Sequence, residues 1–146
     1  MGGRTQISIA PGRTAKQWWF AVVPVIAISV QSAVFVTAAA VVARERPEVT
    51  QFDDAPPTSS FPSGHVGAST ALYVTLAMAS QWIAHPVLRA VATGLCLLVP
   101  LLVAYARLYR GMHHLSDGVV GLANGMACAW LAWRYLRRRV VERPRT

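Results

Sequence analysis

Four uncharged stretches set the pattern of this chain: 26 residues over 18–43, 19 over 66–84, 17 over 90–106 and 16 over 118–133. About 20 apolar residues cross a bilayer as a helix, so the first stretch spans with tilt. The last reaches the required length if Arg134 snorkels and extends it through residue 136. Pro100 falls inside the third stretch, where a kink is tolerated because a bundle re-satisfies the freed backbone group. The pattern predicts an all-α integral membrane protein, a helical bundle of four transmembrane helices. Residues 1–17 form a basic lead-in, 18–136 the membrane domain and 137–146 a basic tail. The first stretch, with its basic start and the Ala38-Ala39-Ala40 tail, also resembles a signal peptide with a small-residue cleavage site. It is longer than a signal core and three more spans follow, so it reads as an uncleaved anchor. Gly121 and Gly125, with Gly118 a turn earlier, have the spacing of close helix contact, a pattern of low specificity in a Gly-rich membrane helix. A homo-oligomer is compatible with that face.

Composition sharpens the picture. The chain is 54% hydrophobic and 14% charged, with a mean hydropathy of +0.40, against about a quarter charged in ordinary soluble domains. A formal charge of +8 suggests nucleic acid, but the basic residues cluster just outside the uncharged runs, which excludes that partner. Arg137–Arg139 reads as an anchor on an anionic membrane surface. Cys96 and Cys128 lie within apolar stretches and read as core residues. With both termini inside, ten of the fourteen basic residues flank the inner ends of the spans, and all five tryptophans fall near those ends. The expected location is the plasma (inner) membrane, with Arg44, Arg46, Arg107 and Arg110 left on the outer side. Those four need a reason of their own.

The reason lies in the polar segments at that face. Residues 56–65 combine three prolines, a run of hydroxyls and Gly64, and end on His65 where the second span begins. Pro62 pushes Phe61 out of helical geometry, Ser63 is a good N-cap, and Gly64 admits close approach to a ligand. A helix starting there offers free N–H groups and a positive dipole end to a phosphate. In the segment 107–117, His113 and Asp117 are four apart and expected on one helix face. The carboxylate could then accept the second imidazole N–H and make the other nitrogen a better nucleophile. Arg46 and Arg107 can each grip phosphate oxygens with two N–H groups, and His65 can pass a proton to a leaving oxygen. The set points to phosphoryl transfer without a metal. His113 with Asp117 could instead be half of a metal site, but the cluster is cationic and no Cys is near. His114 and Arg110 read as solvated, His85 as structural, Arg44 as a partner of Glu45 or Glu48, and Asp53 and Asp54 as loop charges.

These motifs resemble those of the type 2 phosphatidic acid phosphatase superfamily, membrane lipid phosphate phosphatases that share a fold with vanadium haloperoxidases. The family pattern is K-x6-R-P, P-S-G-H and S-R-x5-H-x3-D. The second motif is complete as Pro62-Ser63-Gly64-His65; the third runs from Ala106-Arg107 to His113 and Asp117 and lacks only its leading Ser. The first survives as Arg46-Pro47, with Ala39 at the Lys position. The resemblance implies His113 as nucleophile, Asp117 as its orienting partner, and His65 as acid and then base. It implies Arg46, Arg107, Ser63 and the Gly64 N–H as phosphate holders, with no cofactor and no metal. It also implies two further spans before the first motif, so the chain reads as short at its beginning.

The expected activity is hydrolysis of an amphipathic lipid or polyprenyl phosphate or diphosphate at the non-cytoplasmic face. The alternatives are a weak or inactive relative that binds lipid phosphates or a partner, and, with less support, a small channel or transporter. A Lys at 39 would lie two helical turns from Arg46, so Ala39→Lys is expected to raise kcat/KM about tenfold, from one charged hydrogen bond. Arg44 is the natural substitute for that Lys but faces away on a continuous helix, so it is expected to matter little; a helix end just before Pro47 would let it turn inward, and Arg110 is the other candidate.

Overall fold

The computed structural model describes residues 13–50, 52 and 59–141, with side chains placed within 21–135. Four helices and no strand occur among the described residues: α1 (Arg13–Val42), α2 (Gly64–Ser80), α3 (Pro86–Tyr109) and α4 (Leu115–Val141). The start of the lead-in, residues 56–58 and most of the basic tail lie outside the described residues, as do the side chains of Trp18, Trp19 and Arg137–Arg139. Ala21–Val42 and Pro86–Tyr109 are each long and apolar enough to cross a membrane.

The shortest helix is the hub. α2 packs against α1, α3 and α4, while α3 touches α4 only slightly. Its composition explains this, because Gly67, Ala71 and Ala77 let neighbouring backbones come close. Its buried hydroxyls are satisfied within the helix: Thr70 Oγ1 donates to the Val66 carbonyl at 2.7 Å and Ser80 Oγ to that of Ala77 at 2.8 Å. They therefore leave no unpaired dipole in an apolar setting. Val23 and Ala27 of α1, Ala71 of α2 and Ala132 of α4 form the core, with Ile26, Ile28 and Trp133 packed on it. The glycine pair of α4 meets α2 directly. A Cβ on Gly121 would come 2.9 Å from the Ser63 carbonyl oxygen, and one on Gly125 would come 2.5 Å from that of Gly67. A Cβ on Gly118, grouped with them by spacing, would meet nothing within 4 Å.

α3 and α4 extend past the uncharged stretches at both ends, whereas α1 and α2 stop short of theirs for reasons hydropathy does not register. α2 stops at Ser80 rather than continuing to residue 84, because Ser80 and Gln81 turn to bond Thr93 Oγ1 of α3 at 2.7 and 2.8 Å. His85 then caps α3, its Nδ1 accepting the Leu88 N–H at 3.4 Å, ahead of Pro86 in the first turn. At the opposite end, α1 finishes at Val42 and Ala43 takes a positive φ of 44°. The chain has left the helix before Arg44, so residues 39 and 46 do not share a helix face as their spacing suggests.

Candidate active site

Three segments converge where α1 ends and where α2 and α4 begin. The stretch 43–50, freed from α1, lies against the turn 59–63. Ser60 N–H donates to the Arg44 carbonyl at 2.9 Å, Ser60 Oγ to the Glu45 carbonyl at 2.8 Å, and Arg44 N–H to Ser59 Oγ at 2.9 Å. The peptide bond between Phe61 and Pro62 is cis. Ser63 N–H then donates to the Asp117 carbonyl at 3.1 Å, joining the start of α2 to α4. The loop from α3 to α4 turns at Gly111, whose φ is +67°, a conformation that suits glycine. A Cβ there would also press on Val49 Cγ2 at 2.8 Å. Sequence reasoning passed over Gly111, yet this turn delivers His113.

His113 is buried, and its Nδ1 lies 2.7 Å from the Ser60 carbonyl oxygen. A carbonyl only accepts, so Nδ1 carries the hydrogen and Nε2 of the neutral ring keeps its lone pair. Asp117 does not make this bond. α4 begins at Leu115, so His113 precedes the helix, and its Nδ1 is 3.9 Å from Asp117 Oδ2. The orienting partner named from spacing is therefore replaced by a backbone carbonyl. Asp117 is fully buried and its carboxylate is already engaged. Oδ2 accepts the His114 N–H at 2.8 Å, as the acidic residue of a capping box does, and Oδ1 accepts from Arg44 Nη1 at 2.9 Å.

The cations gather around this core. Arg46 Nη1 donates to the Met112 carbonyl at 2.8 Å, clipping the residue before His113. Burial, Arg46 and Arg107 lower the His113 pKa; the Ser60 bond and Asp117 raise it; the net position is below the ordinary 6.5. His65, in the first turn of α2 with its outer part in solvent, is also held below 6.5, by partial desolvation of its ring first and then by Arg107. Arg107 thus acts on both imidazoles. Ser63 occupies the N-cap position of α2 without a side-chain capping bond, and its buried Oγ has no protein partner. Such an orphan costs free energy unless something fills it. It sits beside the free N–H groups of the Gly64 helix start, which suits an anion. Among the described residues, no three His, Cys, Asp or Glu side chains group as a metal site. Ala39, at the motif Lys position, lies in α1 before the break. Sequence reasoning missed Ser60, whose contribution is its carbonyl and so carries no residue-type signal. It underrated Arg44.

The fold and this cluster define a class: a helical membrane protein in which two histidines, three arginines and a helix start converge at one end of the bundle. The chain belongs to the PAP2 superfamily, whose family model matches residues 18–140. Among solved structures it is similar to the transmembrane PAP2-type phosphatidylglycerolphosphate phosphatase from Bacillus subtilis, with a TM-score of 0.72 and 20% sequence identity. The match covers 87% of this chain and 63% of that one, so this chain spans less than two thirds of its neighbour's length. No curated protein sequence matches it.

Proposed function

We propose that this protein is a membrane phosphatase that hydrolyses a lipid phosphate through a phosphohistidine on His113. The observation that carries the reading is the Ser60 carbonyl on His113 Nδ1, which leaves Nε2 as a neutral nucleophile among arginines. In this reading Nε2 attacks phosphorus, a P–N bond forms, and the P–O bond to the lipid breaks. His65 gives its proton to the departing oxygen. It next takes a proton from water, which attacks phosphorus, breaks the P–N bond and releases inorganic phosphate. Arg46, Arg107, Ser63 Oγ and the Gly64 N–H hold the phosphate oxygens and the charge that grows on them. No step in this scheme needs a metal.

The substrate class follows from depth. The cluster lies where apolar helices end, so a phosphate headgroup reaches it while the tail stays in the bilayer. The Bacillus subtilis neighbour is described as acting on phosphatidylglycerolphosphate, which makes that lipid the first to try. The basic flanks support an outward-facing site in the plasma membrane. The test is phosphate release from phosphatidylglycerolphosphate, phosphatidic acid and a polyprenyl phosphate, in chelator, by sealed right-side-out vesicles given substrate outside. The reading predicts release from at least one lipid and none with His113→Ala. Equal release by that variant, or a strict need for added divalent metal, refutes it. Binding without turnover would favour an inactive relative, the reading that Ala39 at the motif Lys position supports.

A further inference from the structure

Arg44 belongs to no motif, yet it links the three segments that build this cluster. Its Nη1 donates to Ser116 Oγ at 2.8 Å and to Asp117 Oδ1 at 2.9 Å. Its main chain binds the turn before α2 on both sides, through Ser59 Oγ and the Ser60 N–H. Ser60 in turn offers its carbonyl to His113. One residue thus ties the end of α1 to the carboxylate of α4 and to the peptide that sets the nucleophile's tautomer.

Three alternatives to a role in the reaction are weaker. As a surface pair with Glu45 or Glu48, Arg44 would be dispensable, but its partner is Asp117, a carboxylate with no exposure. As a mere support for the α4 cap it would be redundant, since the His114 N–H already satisfies Oδ2. As a direct phosphate ligand in place of the motif Lys, it would have only Nε and Nη2 to offer, since Nη1 is held by Ser116 and Asp117.

We propose that Arg44 is a positioning residue that completes this site without the motif Lys: its guanidinium neutralises Asp117, while its main chain, which any residue there would supply, holds the turn that places Ser60 against His113. The proposal rests on the phosphohistidine reading for its kinetic consequence, not for its geometry. It reverses the expectation from spacing, in which position 39 mattered and position 44 did not. With Arg44 gone, the buried Asp117 carboxylate would be left facing the His113 ring 3.9 Å away. The charged and titratable groups around that ring are Arg46 after α1, Arg107 at the end of α3, and Asp117 in α4. Beyond them, Arg44 sits on the far carboxylate oxygen, His114 is adjacent, and His65 of α2 shares Arg107. Only Asp117 in this set is an anion, so unpairing it favours the imidazolium and withdraws the lone pair. Because Nη1 alone makes both bonds, a lysine amine can reproduce them.

The experiment compares wild type, Arg44→Ala, Arg44→Lys and Ala39→Lys in the chelator assay across pH, with His113→Ala as the blank. Arg44→Ala should lower kcat/KM on the order of tenfold to a hundredfold, as loss of a charged hydrogen bond does, and move the acid limb of the profile to higher pH. Arg44→Lys should restore most of both, and Ala39→Lys should change little. Arg44→Ala within twofold of wild type overturns the proposal. So does a loss with an unmoved acid limb and no rescue by lysine, which would mark general damage to the fold. The imidazole titration of His113, followed by NMR of histidine-labelled protein in micelles and assigned with His113→Ala, separates the two readings. An upward shift in Arg44→Ala supports the role of Arg44 even if no lipid is turned over; an unchanged titration counts against it whatever the activity.

Discussion

His113 and His65 are displaced in the same direction, below 6.5, and the reaction asks opposite things of them. The nucleophile must be neutral, so activity falls as pH drops through the His113 pKa. The acid must be protonated, so activity falls as pH rises through the His65 pKa. With both lowered, the kcat/KM profile of the free enzyme should peak below pH 6.5 and decline through neutrality. A maximum at pH 7.5 or above would show that one role is misassigned. The residue types of this cluster were legible in the chain, because Pro62-Ser63-Gly64-His65 and the spacing from Arg107 to Asp117 are specific. The partners were not. Spacing assigned the His113 Nδ1 hydrogen to Asp117, on the premise of a continuous helix, whereas the helix starts two residues later and the Ser60 carbonyl takes that hydrogen. A backbone acceptor leaves no trace in residue identity.

Helix contacts were legible in kind and only partly in place. The Gly121 and Gly125 spacing marks the real contact of α4 with α2, but a Cβ on Gly118 in the same series would meet no neighbour. A side chain at 125 has no room, since its Cβ would lie 2.5 Å from both the Gly67 carbonyl oxygen and Thr70 Cβ. Gly125→Ala should therefore destabilise the bundle by about 1–3 kcal/mol, the ordinary cost of overpacking. Gly125→Leu should prevent folding. Gly94→Ala in α3, where nothing lies within 4 Å, should be neutral or slightly stabilising. Thermal melting in detergent micelles separates them, and equal midpoints for Gly94→Ala and Gly125→Ala would refute the close α2–α4 contact. The misplaced ends of α1 and α2 share a cause: hydropathy does not register a positive φ at Ala43 or a hydroxyl pairing at Ser80 and Thr93.

At the scale of the molecule, four apolar stretches were enough to read the bundle, because length and lack of charge are what a bilayer demands of a helix. The order in which the helices pack was not readable. It depends on contacts far apart in sequence, such as Ser60 with His113, 53 residues apart, and Arg44 with Asp117, 73 apart. α3 shows what remains: an apolar helix with only Pro100 buried, its leucines facing outward as a lipid-facing helix requires. The bundle thus gathers two histidines and three arginines at one end of its helices, and the central claim is that His113 carries the phosphoryl group there. Rapid acid-free quenching of the protein with phosphatidylglycerolphosphate labelled with 32P on its terminal phosphate, in chelator, tests this most directly. The account predicts a base-stable, acid-labile label on the wild-type chain that vanishes in His113→Ala. Steady turnover of the same lipid with no label trapped, or a label that persists in that variant, would contradict it.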